Sequence, residues 1–439
     1  MFQPNDIVCV LIPNAVNNGY DYRLTVPAPV GAFVRVSVRN QPFIGVIVGP
    51  GTSGLPPTKI KPVEKVFMLQ DFGMVLDHSP LGGSRRAGEA SDAVGGVVYD
   101  IGLSESTLKW LYKMSEWTMM PPGAVLRLIL NIPDAFAPPK MEPLFAYKQP
   151  DEKGALGNRA PPKKIRMTDA RQSVADAFAS NDFEPMSAND IQNIARVSPT
   201  VVRTMVKNEI LEFVGEKISN QKSEIINYFD TGNVVLNDEQ KAAADQISVL
   251  SSQFSVHVLD GITGSGKTQV YFDAALKVYG AGRCVLLMMP EIALTAQFKQ
   301  RFADRFGAPP VVWHSNLTSA KRRDIWRGVA SGQIRIVVGT RSALFLPWRD
   351  LGLVVVDEEH DASYKQEDMG NYHARDMAIL RGSIENFPVI LASATPSAET
   401  IKKINDGAYK SSRLTARFGG AIMPTIELID MRKERPEKY

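Results

Sequence analysis

The chain has 439 residues, 44% hydrophobic and 22% charged, with a formal net charge of +3 and a pI near 8.6. That length admits three or more compact domains, and the composition is that of soluble globular protein. No apolar run reaches bilayer length and the start, Met1-Phe2-Gln3-Pro4-Asn5-Asp6, lacks a secretory pattern; the two cysteines, Cys9 and Cys284, are too few for a four-cysteine zinc site and read as reduced thiols of a cytoplasmic protein.

Residues 1 to about 70 predict short strands: Ile7–Ile12, the alternating Val34, Val36 and Val38, and Phe43–Val48, each closed by turn residues. Gly82–Gly96 reads as an irregular insertion. A helix follows with Leu108, Leu111, Tyr112 and Ser115 on one face, and Pro121-Pro122-Gly123 is expected to stop it. Prolines recur from Ile132 to Lys164, so residues 131–164 are expected to be a surface linker between a first domain, 1–130, and the next.

Residues 165–232 predict a winged helix. Ala170–Ala179 is helical, Ser187 caps a helix with apolar positions Ile191, Ile194 and Ala195, and Ser198-Pro199 starts another that carries Val202, Met205 and Val206. Leu211–Val214 starts a wing. Such a module serves DNA contact or protein docking. From residue 233 to about 425, apolar strands alternate with helices: Val256–Leu259, Cys284–Leu287, Ile334–Val338, Leu353–Val356 and Val389–Leu391. Near-continuous apolar runs between helices predict a parallel sheet covered on both faces, an α/β lobe. Residues 299–350 hold ten basic side chains and three acidic ones, either a phosphate-facing surface or a solvated one.

Gly261-Ile262-Thr263-Gly264-Ser265-Gly266-Lys267-Thr268 matches the P-loop pattern, after a strand and before a helix. Its glycines turn backbone N–H groups inward around phosphates, and the helix N-terminus adds partial positive charge. Gly264, Ser265 and Gly266 form the cradle, Lys267 reaches the β/γ-phosphates, and the Thr268 hydroxyl ligates Mg²⁺. Asp357-Glu358-Glu359-His360 ends the strand before it, at the edge where such sheets bind ligands. Asp357 holds Mg²⁺ and Glu358 orients the attacking water.

In this order the P-loop and Asp-Glu-Glu-His box resemble motifs I and II of superfamily 2 helicases. Leu236–Gln240 resembles the glutamine motif, with Gln240 reading adenine; Pro290–Thr295, Gly339–Ser342 and Ser393-Ala394-Thr395 resemble motifs Ia, Ib and III. The resemblance implies contacts from Thr340, Arg341 and Ser342 to one DNA strand. Longer stretches resemble the PriA family of replication-restart helicases (primosomal protein N′), most specifically over Asn237–Thr400: the P-loop through Tyr271, Gly339–Phe345, and an aromatic-rich loop over Asp357–Asp376. In that loop Tyr364 and Tyr372 would stack on bases while Lys365 and Arg375 meet phosphate, or the segment is a packed helix cap.

Tyr20-Asp21-Tyr22 resembles the family's pocket for a nascent-strand 3′ end. There Tyr20 lines the pocket, Asp21 accepts a hydrogen bond from the terminal hydroxyl, and Lys61 meets phosphate. Pro122–Arg127 also matches a family segment, which speaks against another superfamily 2 translocase. A glycine turn that the family carries after Val34–Val38 is replaced here by Arg39.

The resemblance implies a 3′→5′ DNA helicase that uses ATP and Mg²⁺, recognises branched and single-stranded DNA at stalled forks, and initiates primosome assembly. The implied partners are single-stranded DNA-binding protein, PriB, DnaT, and the replicative helicase with its loader. Zinc is expected in longer relatives, through cysteines not found in this chain. Residues 426–439 read as the start of a connection to a second motor lobe with motifs IV to VI. Without that lobe's arginine, a loss of about 10³–10⁵ in rate is expected, so the chain is expected to bind ATP weakly and DNA well but hardly to unwind. The rival reading is a DNA-binding module that holds ATP without unwinding.

Overall fold

The computed structural model describes residues 1–15, 18–72, 101–138, 141–147, 168–180, 183–218, 228–232, 235–247, 253–367 and 370–415. The Gly82–Gly96 insertion, residues 148–164 of the expected linker and the 426–439 connection lie outside these. One compact unit takes in the first β domain, the helices after it and the P-loop lobe; a second falls largely within 137–222.

The first domain is a five-stranded antiparallel sheet in the order Tyr20–Arg23, Ile7–Leu11, Gln41–Pro50, Phe33–Val38, Lys65–Val66. Alternation sends Val8, Val10, Val34, Val36 and Ile47 into its core. Arg39 and Asn40 form the two-residue hairpin turn with φ of 49° and 63°. That is the paired left-handed geometry of hairpin turns, built here without glycine.

Helix Glu105–Thr118 is capped by Ser104, whose Oγ accepts from Thr107 N at 3.0 Å, and ends at Met119 with φ 55°. Its buried face is Leu108, Trp110, Leu111, Met114 and Ser115, whereas Tyr112 is 37% exposed. The expected stop at Pro121-Pro122-Gly123 is also a start: Pro122 opens helix Pro122–Ile129, where its missing N–H costs nothing. These helices fasten the first domain to the lobe. Trp110 Nε1 donates to Met377 O at 3.1 Å, Trp326 Nε1 to Ile129 O at 3.0 Å, and Arg327 Nε to Ala135 O at 2.9 Å. Trp326, Phe33 and Phe136 pack their rings around the joint.

The lobe is α/β: a seven-stranded parallel sheet in the order Val312–Trp313, Ile336–Gly339, Cys284–Met288, Leu351–Asp357, Val389–Ser393, Val256–Gly261, Lys410–Leu414. Its central strands are buried up to the partly buried Asp357 at the end of one, as their apolar runs require. Every strand C-terminus therefore opens on the same edge, where the sequence places its motifs.

In the second unit, helices Asp169–Ala179, Ala188–Ala195 and Pro199–Lys207 pack Val174, Phe178, Ile191, Val202 and Met205 against a three-stranded sheet. One strand of that sheet, Met141–Tyr147, comes from the stretch read as linker and pairs antiparallel with Leu211–Ile218. Flanking prolines masked its short strand signal. Ile194, expected on the apolar face, is 53% exposed.

Candidate nucleotide site and nucleic-acid surface

The turn between strand Val256–Gly261 and helix Lys267–Gly280 takes left-handed φ at Gly264 (83°) and Gly266 (86°). A Cβ at Gly266 would collide with the Gln240 amide, whereas Gly264 faces open space. The turn thus packs against the glutamine on one side and leaves a cradle on the other. Ser265 Oγ is buried there with no hydrogen-bond partner in the protein. Lys267 is buried, and its Nζ donates to Gly261 O at 2.6 Å, which draws the ammonium back over the loop.

Gln240 is held beside the P-loop. Asn237 and Gln240 form a reciprocal capping box: Gln240 Oε1 accepts from Asn237 N at 3.1 Å, and Gln240 N donates to Asn237 Oδ1 at 2.8 Å. Gln240 Nε2 donates to Ser265 O at 3.0 Å. These contacts brace the P-loop and leave the amide a second N–H and a second lone pair.

Asp357 ends its strand beside the P-loop. Its Oδ2 accepts from Tyr271 Oη at 2.9 Å and its Oδ1 from Glu358 N at 3.1 Å. Burial pushes its carboxyl up to about 6, opposed by the Tyr271 hydrogen bond and added to by Glu358. Glu358 turns left-handed at φ 47°, which throws its side chain off the strand into a half-exposed position, with Oε2 3.7 Å from His360 Nδ1. His360 Nδ1 also pairs with Ser393 Oγ at 2.8 Å, and Ser393 Oγ accepts from Thr395 N at 3.0 Å, which ties motifs II and III together.

Oxygen donors from Thr268 and Asp357, next to an open phosphate cradle, suit a hard cation such as Mg²⁺, which takes few protein ligands and completes its shell with phosphate and water. Among the described residues no group of three or more His, Cys, Asp or Glu is placed to hold a metal.

The loop after the acidic turn differs from expectation. Tyr364 is 1% exposed, and its hydroxyl lies 3.0 Å from Met288 O and 2.6 Å from Asp357 O. Tyr372 is buried, edge-on to Phe345 at 5.3 Å. Arg375 is buried with Nη1 on Glu359 Oε2 at 2.8 Å and Nε on Asp376 Oδ1 at 2.9 Å. The base-stacking reading of both tyrosines and the phosphate reading of Arg375 are therefore corrected: the phenol satisfies strand-end carbonyls and the guanidinium neutralises a buried acid. Lys365 alone of the four is exposed, paired with Glu367 at 2.8 Å.

Arg341 is likewise occupied, its Nη1 donating to Ser363 O at 2.9 Å and Lys365 O at 2.6 Å, so it braces the loop. Thr340 and Ser342 keep outward hydroxyls, 3.4 Å apart, and Ser342 Oγ accepts from Trp313 Nε1 at 3.1 Å. Much of the basic stretch is spent internally too: Arg305 on Asp230 and Asp273, Arg327 on backbone, Arg335 over the Tyr279 ring at 4.0 Å. Lys299, Arg301 and Lys321 remain exposed.

In the first domain Tyr20, Asp21 and Tyr22 share one edge strand. Tyr22 is buried with its hydroxyl donating to Ser37 O at 3.0 Å, and Tyr20 is half-buried. Asp21 Oδ2 accepts from Thr52 N at 2.9 Å and Ser53 N at 2.6 Å, holding the turn after the long strand, and Lys61 stands exposed.

Sequence reasoning missed Glu359. It is fully buried and gathers Arg375, Ser397 N at 2.6 Å and Thr400 Oγ1 at 3.1 Å, so it pins the acidic turn to the helix after motif III. Nothing in its position within Asp-Glu-Glu-His signals burial; the later Arg375 and Ser397 were the only clue.

Comparison with known proteins decides the family. Residues 237–404 match the DEAD/DEAH box helicase model, and residues 8–72 match the 3′ DNA-binding domain model of PriA. The replication restart protein PriA of Rickettsia conorii is 42% identical over 225 residues, 51% of this chain and 34% of the relative. The chain belongs to the PriA family. PriA of Chlamydia pneumoniae is 34% identical over 339 residues, 76% of this chain and 45% of the relative, and PriA of Bacillus subtilis is 38% identical over 239 residues, 54% and 30%. This PriA-family chain thus spans less than half the length of those relatives. The helicase match implies nucleotide and Mg²⁺ use in general terms, and no described helix is long and apolar enough to cross a membrane.

Proposed function

We propose that this chain supplies the nucleotide-binding lobe and the 3′-end-binding domain of an ATP-dependent 3′→5′ DNA helicase of replication restart, one that recognises branched forks and initiates primosome assembly. The observation that carries the reading is the opposition of the open P-loop cradle to Asp357 and Glu358 across one sheet edge.

Lys267, released from Gly261 O, meets the β/γ-phosphates, and Ser265 and Gly266 supply N–H groups to the cradle. Thr268 and Asp357 are the ligands for magnesium, which when bound neutralises phosphate charge. Glu358, outside the strand and half-exposed, orients the attacking water and takes its proton. The His360–Ser393 contact links that turn to motif III, and Thr340 and Ser342 hold the backbone of one DNA strand.

At the first domain, Asp21 accepts the 3′-hydroxyl, Tyr20 lines the pocket and Lys61 meets phosphate. Single-stranded DNA-binding protein, PriB, DnaT and the replicative helicase with its loader are the partners of this reading.

The test compares fork binding with 3′-hydroxyl and 3′-phosphate leading-strand ends, for the wild type and Asp21→Ala. Preference for the hydroxyl, lost in Asp21→Ala, supports the pocket. Equal binding in every case removes it. DNA-stimulated ATP hydrolysis by a chain extended through a second motor lobe tests the motor: absence of stimulation ends the helicase reading.

A further inference from the structure

Tyr271 stands between the two metal ligands of the reading above, and none of the roles assigned so far uses it. It lies in helix Lys267–Gly280, three residues after Thr268, so the two side chains share a helix face. Its ring has no solvent exposure and packs edge-on to Phe272 at 5.3 Å. Its hydroxyl donates to Asp357 Oδ2 at 2.9 Å, and Thr268 lies one helical turn before it.

A threonine hydroxyl that ligates a cation through its oxygen still carries a proton, which needs an acceptor on the side away from the metal. The Tyr271 oxygen, one turn on along the same helix face, can serve as that acceptor once a cation draws on Thr268. Its own proton goes to Asp357. Asp357 Oδ1 is oriented separately by Glu358 N. Asp357 is thereby oriented before any cation arrives. Phenylalanine would fill the same space, so packing alone gives no reason for the hydroxyl.

We propose that Tyr271 is a positioning residue for the divalent cation of the P-loop, orienting Asp357 beside Thr268 for Mg²⁺ bound with a nucleotide. The proposal rests on the nucleotide reading, and its test separates the two. A fluorescent ATP analogue is titrated into the wild-type chain and Tyr271→Phe, with Mg²⁺ and again with EDTA. Loss of a partner that orients a metal ligand costs about 10–100-fold in metal affinity. Tyr271→Phe is therefore expected to weaken binding about tenfold or more in Mg²⁺ and to leave binding in EDTA within about twofold.

Equal weakening in both conditions marks a packing role and overturns the proposal, as does unchanged binding in Mg²⁺. A wild type that binds no nucleotide in either condition removes the nucleotide reading and this proposal with it. Should Tyr271→Phe fail to fold, 3-fluorotyrosine at position 271 keeps the ring and its hydroxyl. Its fluorine resonance is expected to move when Mg²⁺ is added to the nucleotide-bound chain, and a resonance that stays in place overturns the proposal.

Discussion

The P-loop with its acidic turn and the loop around Tyr364 and Tyr372 that follows it lie on one sheet edge, yet their side chains resolve in opposite ways. At the P-loop the backbone does the presenting. Left-handed glycines open a cradle, and Glu358 at φ 47° is thrown outward. In the following loop the side chains turn inward: Tyr364 caps the carbonyls of Met288 and Asp357, Tyr372 packs on Phe345, and Arg341 ties down Ser363 and Lys365. One region is arranged to receive a ligand and the other to hold the receiver in shape.

Glu359 breaks the comparison most severely, because it belongs to the acidic turn by sequence and to the bracing network by contact. Replacing it with alanine removes the buried acid on Arg375 Nη1 and leaves that guanidinium Asp376 as its acid partner, and removal of one partner of a buried pair costs about 3–5 kcal/mol. Urea unfolding followed by tryptophan fluorescence should show that loss; a change below 1 kcal/mol would place Glu359 with the ligand-facing residues instead.

His257 sharpens the nucleotide side. It sits in the strand leading to the P-loop, its Nε2 on Ser412 Oγ at 2.8 Å, and burial pushes its imidazole down to about 4. The unfolded chain takes up this proton near pH 6.5, before the folded chain does, so stability is lost as pH falls from 6.5 towards 4. Between pH 7 and 5 the loss is about 2 kcal/mol. His257→Gln should flatten that part of the pH–stability curve, and an unchanged slope would contradict the burial of a neutral imidazole.

For the bracing loop, Tyr364→Phe leaves the carbonyls of Met288 and Asp357 without their side-chain donor and is expected to cost about 1–3 kcal/mol in the same unfolding assay. An indifferent result would return Tyr364 to the surface. The smallest effect belongs to Lys365→Ala: an unchanged melting temperature, and a salt dependence of DNA binding lowered by about one phosphate contact. A drop in melting temperature with no change in salt dependence would make Lys365 part of the brace.

Legibility in the sequence follows the same division. The P-loop pattern fixes backbone geometry as well as side-chain type, and the apolar run before Asp357 fixes which sheet edge it reaches, so Lys267, Thr268, Asp357 and Glu358 fall together. Tyr364, Tyr372 and Arg375 lie on connections where one residue type serves either water or the strand-end carbonyls and acids beneath it. Their sequence holds no sign of which. Gln240 shows the same ambiguity, since an asparagine three residues earlier was enough to draw it into a capping box. The Met141–Tyr147 strand was hidden for another reason: its pairing partner, Leu211–Ile218, lies some 70 residues away, and prolines beside it mimic a linker.

The central claim is that Thr268 and Asp357 receive a divalent cation together with a triphosphate held by Lys267. Anomalous diffraction from a crystal grown with Mn²⁺ and a non-hydrolysable ATP analogue tests it directly. The account predicts a Mn²⁺ peak in contact with the Thr268 hydroxyl and on the Asp357 side of the nucleotide, with the Lys267 ammonium moved from Gly261 O to phosphate. A nucleotide bound elsewhere, or a cation that touches neither residue, would contradict it.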